Sequence, residues 1–385
     1  ELSIVTSGYF LGFLAGARFA PILIQRVGHV RVFAALGSFI SAALVAFTLW
    51  AEPWTWTILR IIIGFCMSGI YVVAESWLNN ATSNENRGKM LSAYMLAQTL
   101  GIIGAQGLLT LGDAGNSALF IGASILVSIS FAPILLSIQP APIVKVAKPG
   151  GLKDLFAASP LGTVGIFLLG SIYATQSGMG AVFGNQIGLS ANQIALFVAM
   201  LFGGAMLMQV PIGWLSDRLD RRKVICVTAF LGTAACGLGW IAQSPPAWLG
   251  LDPLVPIMGA AFLAGGMTTP LYALLLAYTN DNVPAEDMPA ISGGLVFTFG
   301  LGAILGPLAV GFAMDAIGPF AFWLVLGGTF AAITVYALYR MSQTEAIPAS
   351  QTDAYVNIVP TASIVAVEDA INWAVDKAEA KETGP

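Results

Sequence analysis

The sequence predicts an all-α integral membrane protein that is built from two related helical bundles. Three observations support this fold class: a low charge content, long apolar runs and an internal repeat. Only 9% of the 385 residues are charged, whereas 57% are hydrophobic and the mean hydropathy is +0.82. Soluble domains carry about 25% charged residues, and their apolar residues recur at helical or strand spacing instead of in unbroken runs.

The apolar runs have the length that crosses a membrane. About 20 apolar residues in a helix span a bilayer core of about 30 Å. Eleven runs reach this length, and each is interpreted as a membrane-spanning helix: residues 4–24, 33–51, 55–78, 90–111, 117–138, 161–183, 193–215, 223–243, 254–278, 291–313 and 319–340.

The connectors between the spans fall into two alternating sets. One set, which includes the C-terminal tail, holds nearly all of the Lys and Arg residues, and the other set holds none. Cytoplasmic loops retain Lys and Arg, so we assign the basic set to the cytoplasm and the chain to the cytoplasmic (inner) membrane. This assignment places Glu1 outside and the C-terminus inside. An odd number of spans with an outside start predicts that one further helix precedes residue 1.

Two polar patterns recur in the two halves of the chain. The stretch RVGHVRV (26–32) resembles RLDRRKV (218–224) at an offset of 192 residues, and Tyr71 and Tyr272 each precede a polar pair by eight residues. Internal repeats of this kind are typical of secondary transporters. The predicted units are an N-terminal bundle (1–138), a cytoplasmic linker (139–160), a C-terminal bundle (161–342) and an acidic tail (343–385), which we expect to be disordered or weakly helical.

The charge is most concentrated in GWLSDRLDRRKV (213–224), a short turn between two spans. This stretch resembles the loop signature of the major facilitator superfamily, Gly-x-Leu-Ser/Ala-Asp-Arg-x-x-Arg-Arg. Other stretches that resemble this family are RIIIGFCMSG (60–69), ENRGKM (85–90) and GLGAILGPLAVG (300–311), and YVVAESWLNN (71–80) is similar to its YcaD-like branch. The resemblance covers residues 1–342 and implies two pseudo-symmetric six-helix bundles, of which eleven of the twelve helices are present in this chain.

The sequence departs from the family pattern in both halves. Pro21 and Gln25 stand where the first-half loop signature has Gly and Asp, and the span 90–111 lacks the Gly-Pro pair of the antiporter signature. The second departure removes the usual sequence argument for drug/proton antiport without excluding that activity.

The resemblance also implies that the fourth, seventh and tenth helices face a central cavity. The polar residues on these helices are therefore candidates for lining it: Arg60, Tyr71, Tyr173, Gln176 and Tyr272. A charge at the bilayer centre costs about 2.5–3.5 kcal/mol on insertion scales. We therefore expect Arg60 either to hold an anionic or strongly hydrogen-bonding solute or to brace a helix.

A second set of candidates forms a predicted cytoplasmic gate: Gly213, Asp217, Arg218, Arg221, Arg222, Arg26, Arg31, Glu75, Arg87, Glu286 and Asp287. Exposed ion pairs are worth about 0.2–1 kcal/mol each, which biases a gate without freezing it. We expect the loops 25–32 and 279–290 to meet, and Asp217 to lie near the start of the span 90–111, when the cytoplasmic side is closed. In one alternative, the arginines only set the topology of the membrane helices. In another, Glu75 carries a coupling proton instead of pairing with a nearby cation.

The predicted function is secondary transport of a small organic solute by alternating access. No nucleotide-binding motif occurs in the sequence, and the lone histidine, His29, is interpreted as a solvated loop residue, so neither an ATP-driven pump nor an enzyme is expected. The expected partners are the solute, the lipid bilayer and, as an open alternative, a coupling proton; we expect a monomer without cofactor, metal or nucleic acid. The alternative function is that of a transporter-fold scaffold or assembly factor without transport.

Overall fold

The computed structural model describes residues 1–83, 86–112, 116–136, 151–243, 252–283, 288–345, 347–348, 352 and 354–382, excluding the side chains of Arg87, 288–290 and 375–382. Within these ranges the chain forms helices and no strands, which confirms the all-α fold class. The helices are α1 (Leu2–Val27), α2 (His29–Leu49), α3 (Pro53–Ala81), α4 (Arg87–Leu109), α5 (Ala118–Leu135), α6 (Leu152–Ala158), α7 (Pro160–Ala174), α8 (Gly180–Gln186), α9 (Ala191–Ser216), α10 (Arg221–Ile241), α11 (Leu254–Asn280), α12 (Met288–Ile317), α13 (Ala321–Gln343) and α14 (Ile364–Glu382). A π-helical turn, Thr175–Met179, joins α7 to α8.

Ten helical segments in the described part of the chain, with α7 to α8 counted as one, are long and apolar enough to cross a membrane. They coincide with ten of the eleven predicted spans, so the protein crosses the membrane many times. The remaining predicted span, 90–111, is the helix α4. It is not among the ten, because Gln98 and Gln106 lower its hydropathy.

Local sequence determines where several helices begin. Ser190 and Gln193 form a capping box, in which each residue accepts the backbone N–H of the other, at the start of α9. Gly28, with a φ of 89°, turns the chain sharply between α1 and α2. As a result α2 begins at His29, whose side chain is only 4% exposed and packs near Trp77. The expectation of a solvated loop histidine is therefore wrong.

The two halves are built around the same type of helix contact. Helix α1 runs parallel to α3 at backbone distance, because a Cβ on Gly12 would come within 1.9 Å of the Ile61 carbonyl oxygen. Helix α9 meets α11 in the same way at Gly204, where a Cβ would lie 1.9 Å from the Phe262 carbonyl oxygen. Small residues permit such close packing in membrane helices. Each bundle therefore has a tightly joined central pair.

The bundles touch each other at the end where the connectors carry no Lys or Arg, the predicted outer end. There the Ser7 hydroxyl donates a hydrogen bond of 2.8 Å to the Ile304 carbonyl oxygen, which joins α1 to α12. Thr6 also contacts Gly178 in the π-helical turn. The opposite end, formed by the turns at 28 and 217–220, is called the basic end below.

At the basic end, residues 354–374, here called the tail segment, lie between the two bundles. The segment contains an extended stretch followed by most of α14, and its apolar stripe of Val367, Ile371 and Ala374 is buried. This arrangement differs from the expected disordered or weakly helical tail. The stripe is too narrow to stabilise an isolated helix, but here both bundles cover it.

Candidate functional site

The candidate site is a pair of adjoining cavities, of which the larger lies between the two bundles and the smaller is lined by the second bundle. One has a volume of about 330 Å³ and the other of about 250 Å³. They share four lining residues, Tyr173, Phe202, Ala205 and Thr269. Helix α4 supplies one wall of the larger cavity, helices α7, α9 and α11 supply others, and residues 359–361 complete it. None of the described lining residues of either cavity is charged.

Two of the five predicted cavity residues line these cavities. Tyr173 contributes to both, and Gln176 contributes to the smaller one. Gln176 lies in the π-helical turn, a type of distortion that frequently occurs at functional sites. Because this turn shifts the hydrogen-bond register of the helix, it directs Gln176 differently from a residue in a regular α-helix.

The other three predicted cavity residues lie elsewhere. Tyr272 is 1% exposed and packs its ring against Phe299 with centroids 5.5 Å apart. The Tyr71 ring lies 6.2 Å from that of Phe13 in the first bundle. Arg60, on α3, lies near Tyr9 of α1 and is not among the described lining residues of either cavity.

Several buried polar atoms near the cavities lack a hydrogen-bond partner among the described residues. The amide nitrogen of Gln176 and the Thr175 hydroxyl are in this group, and the Gln98 amide, which lies close to the Tyr71 hydroxyl, has no other partner among the described residues. Buried polar groups are nearly always hydrogen-bonded. These atoms therefore provide free donors and acceptors on both bundles. Gln98 and Thr175 were not among the predicted site residues, although a glutamine within an apolar span is itself a signal of function.

Glu75 is a buried carboxylate held by neutral donors. The Tyr94 hydroxyl donates to one oxygen at 3.0 Å, and the backbone N–H of Ser363 donates to the other at 2.9 Å. Glu75 takes part in neither of the two ion pairs that occur among the described residues. It does not pair with Arg18 or Lys89, and the Arg87 side chain lies outside the description.

The charged turn after α9 is held mostly by contacts within the second bundle. Arg221 pairs with Asp281 and donates to the Ser216 hydroxyl. Arg222 pairs with Asp220 at 3.0 Å. Burial by itself would raise the pKa of Asp220, but the hydrogen bonds and charge of Arg222 outweigh it and lower that pKa below its ordinary value.

The remaining predicted gate residues have varied surroundings. Arg218 lies over the Trp214 ring, 4.1 Å from its centroid. Gly213 and Asp217 contact the tail segment, and Asp217 accepts the backbone N–H of Tyr355 at 2.8 Å. Arg26 and Arg31 are exposed, whereas Glu286 and Asp287 lie outside the described residues. The contacts expected between the loops 25–32 and 279–290 in the closed gate stay a prediction.

Comparison with known proteins gives consistent matches. A family model described as Major Facilitator Superfamily matches residues 1–190 and, again, residues 161–372. The uncharacterized MFS-type transporter YfkF of Bacillus subtilis (strain 168) is 27% identical over 317 residues, 80% of this chain and 78% of that protein. The uncharacterized MFS-type transporter YcaD of Escherichia coli O17:K52:H18 (strain UMN026 / ExPEC) is 29% identical over 312 residues, with coverage of 80% and 78%.

Two solved structures share the fold. The crystal structure of the nucleoside transporter NupG superposes with a TM-score of 0.62 at 14% identity, covering 88% of this chain and 90% of that chain. The transporter FucP, in the outward conformation, gives a TM-score of 0.52 at 16% identity and covers 88% and 89%. The chain therefore belongs to the major facilitator superfamily, within which it resembles the YcaD-like transporters.

Proposed function

We propose that this protein moves a small polar organic solute across the cytoplasmic membrane by alternating access, and that the two adjoining cavities hold the solute. The observation that carries this proposal is the set of unpaired buried polar atoms beside the cavities. Gln98 offers the part of its amide that Tyr71 does not use, and Gln176 offers a donor. A solute with donor and acceptor groups would satisfy them.

The lining of the cavities favours an uncharged or zwitterionic solute. None of the described lining residues of either cavity is charged, so no described side chain there would balance a net charge on the solute. We assign Arg60 a role in attracting solute from the outer end, since its guanidinium is a permanent positive charge on the N-terminal part of α3.

The position of the cavities suits alternating access. Gln98 belongs to the first bundle, and Tyr173 and Gln176 belong to the second. A ligand shifts an equilibrium between two conformations only if it interacts differently with each of them. A solute that bridges the two bundles meets this condition, because rocking of the bundles changes the distance between Gln98 and Gln176. Glu75 is the candidate for a coupling proton, since it is buried without a cation.

Uptake by proteoliposomes tests the proposal. The purified protein is compared with protein-free vesicles on uncharged, zwitterionic, anionic and cationic polar solutes. We expect saturable uptake of an uncharged or zwitterionic solute. Gln98→Leu and Gln176→Leu should each lower that uptake by about tenfold, because each leaves a solute group without its hydrogen bond. Gln106→Leu, on the same helix as Gln98 but outside both cavities, is the matched control.

Two results would contradict the proposal in different ways. Uptake equal to that of empty vesicles for every solute would favour the alternative function of a scaffold or assembly factor. Saturable uptake that Gln98→Leu, Gln176→Leu and Gln106→Leu leave equally intact would keep the transport function but place the solute elsewhere.

A further inference from the structure

The tail segment is buried between the bundles like part of the core. Its largely buried residues are Ala354, Ile358, Ala362, Ala366, Val367, Ala370, Ile371 and Ala374. On the second bundle, several of them lie against Ala273, Leu276 and Ala277 of α11. Helix α14 also packs against α3 and α4 of the first bundle. The segment therefore separates the two bundles at the basic end.

The first bundle binds the tail segment through two polar side chains of α3. The Glu75 carboxylate accepts the backbone N–H of Ser363 at 2.9 Å, and the side-chain amide of Asn79 donates to Asp369 at 2.5 Å. Glu75 is one of the two charged residues within the membrane part of α3. Part of its hydrogen-bonding capacity is thus used by a residue 288 positions later in the chain.

The second bundle binds the same segment from the other side. The side-chain amide of Gln209 donates to the Ile358 carbonyl oxygen at 3.4 Å, and Asp217 accepts the backbone N–H of Tyr355 at 2.8 Å. Both contacts involve the backbone of the segment in its extended part. They hold it much as a bound peptide is held.

Two glycines leave room for two aromatic side chains of the segment. A Cβ on Gly213 would lie 2.5 Å from the Tyr355 ring, and a Cβ on Gly88 would lie 2.4 Å from the Trp373 indole. Gly213 begins the charged-turn signature, and Gly88 lies in the first turn of α4. Any larger residue at either position would displace the ring above it.

The segment also forms a wall of the candidate solute site. Val359, Pro360 and Thr361 line the larger cavity on the side opposite to the closed outer end. The bundles cannot close around the solute at the basic end while a peptide lies between them, and the solute cannot leave past it. We propose that the tail segment is an inhibitory plug, which binds in cis between the bundles, holds the transporter open at the cytoplasmic end and blocks the solute path.

This proposal rests on the proposed transport function, and it adds that the segment must leave before each transport cycle. A link of about ten residues, 344–353, joins α13 to the segment. Because the segment and the bundles belong to one chain, docking is intramolecular and the effective concentration of the segment is high, so a few hydrogen bonds and a narrow apolar stripe suffice for high occupancy. A plug held by these contacts also remains releasable.

Adjacent positions on α14 allow a matched test in the full-length protein. Ile371 is buried between the bundles and Asn372 is exposed. Ile371→Asp places an unpaired carboxylate in the buried interface and should release the segment, whereas Asn372→Asp adds the same group to the exposed face. Val367→Asp, at a residue with no exposed surface, repeats the test at a second site in case Ile371→Asp impairs folding.

Two measurements are combined. Hydrogen–deuterium exchange of the protein in lipid nanodiscs reports on release through the amides of residues 354–371, and proteoliposome uptake reports on transport. We expect strong protection in the unmodified protein and in Asn372→Asp, and loss of protection in Ile371→Asp and Val367→Asp. Uptake in these two variants should rise about tenfold, as expected for a buried charge that shifts the docking equilibrium by at least that factor.

The outcomes separate the plug from the transport function. Released segments with uptake equal to that of the unmodified protein would overturn the plug and leave the transport function standing. Unchanged protection in both Ile371→Asp and Val367→Asp would mean that the segment does not lie between the bundles, which also overturns the plug. A released segment without uptake of any solute in any variant would overturn both proposals.

Discussion

Arg60 is a single residue whose role can be separated from that of its helix. Its guanidinium stays charged at any physiological pH, and it belongs to neither ion pair of the described residues. It is exposed while its helix packs at backbone distance on α1. Its neighbour Tyr9 belongs to α1, so a brace between these two helices is the alternative to a role in attracting solute.

Substitution of Arg60 distinguishes the two interpretations. Arg60→Lys keeps the charge but loses the planar fork, and Arg60→Gln loses both. If Arg60 attracts the solute, uptake should fall in both variants, with Gln lower than Lys, by about ten- to a hundredfold, as for hydrogen bonds to charged groups. Uptake assays on variants matched for expression measure this. Unimpaired uptake in a folded Arg60→Gln protein would leave Arg60 with a structural role only.

Residue-level prediction from the sequence reached part of the candidate site. Tyr173 and Gln176 were expected to line a cavity, and they lie at the candidate site, although their role awaits the uptake test. The partner of Glu75 could not be predicted, since it is a backbone N–H in a distant segment. Gln98 was not selected, because the family pattern points to the family's fourth, seventh and tenth helices. In this chain the family's fourth helix is α3, whereas Gln98 lies on α4, the family's fifth.

At the scale of elements, the close contact of α9 with α11 depends on particular glycines. A Cβ on Gly204 would lie 1.9 Å from the Phe262 carbonyl oxygen, whereas a Cβ on the neighbouring Gly203 would meet nothing within 4 Å. Backbone atoms cannot move aside as a flexible side chain can. The two helices would have to separate to accommodate even one methyl group at Gly204.

We therefore expect Gly204→Ala to destabilise the protein and Gly203→Ala to leave its stability nearly unchanged. Overpacking of this kind costs about 1–3 kcal/mol, which should lower the melting temperature in detergent by several degrees. The reaction of a thiol-specific dye with Cys236, which is 1% exposed in the native protein, measures unfolding. Equal melting temperatures for the two variants would contradict the close contact.

Elements are predicted from the sequence to the extent that the bilayer imposes their length. The run 193–215 becomes Ala191–Ser216, and 55–78 becomes Pro53–Ala81, because helices extend past the apolar core to their caps. The π-helical turn was not predicted, since one shifted hydrogen bond leaves no mark on composition. The burial of helix α14 was not predicted, because it depends on contacts with two bundles that are distant in sequence.

At the scale of the whole molecule, the two bundles are joined at the outer end and separated at the basic end. Alternating access requires this arrangement to reverse. The joint at the outer end includes Thr6 of α1 and Gly178 of the π-helical turn, where a Cβ on Gly178 would lie 3.4 Å from the Thr6 Cβ. This separation is close to the Cβ–Cβ distance of about 3.5–4.5 Å in disulfides.

A disulfide at this position should stop the cycle. The pair Thr6→Cys with Gly178→Cys should crosslink on oxidation and abolish uptake, and a reductant should restore it. The pair Thr6→Cys with Gly203→Cys is the control, because Gly203 faces open space and should neither crosslink nor lose uptake. Gel mobility after proteolysis measures the crosslink. Complete crosslinking with undiminished uptake would show that the outer ends need not separate.

The tail segment and the groove between the two bundles in which it lies belong to one covalent chain. Occupancy of the groove is therefore a ratio of two unimolecular rates, and neither dilution nor the number of copies in the membrane changes it. A cell could not relieve the inhibition by making more transporter; each added molecule would bring its own inhibitor in fixed one-to-one proportion. Activity would then depend only on whatever competes for the segment or for the groove.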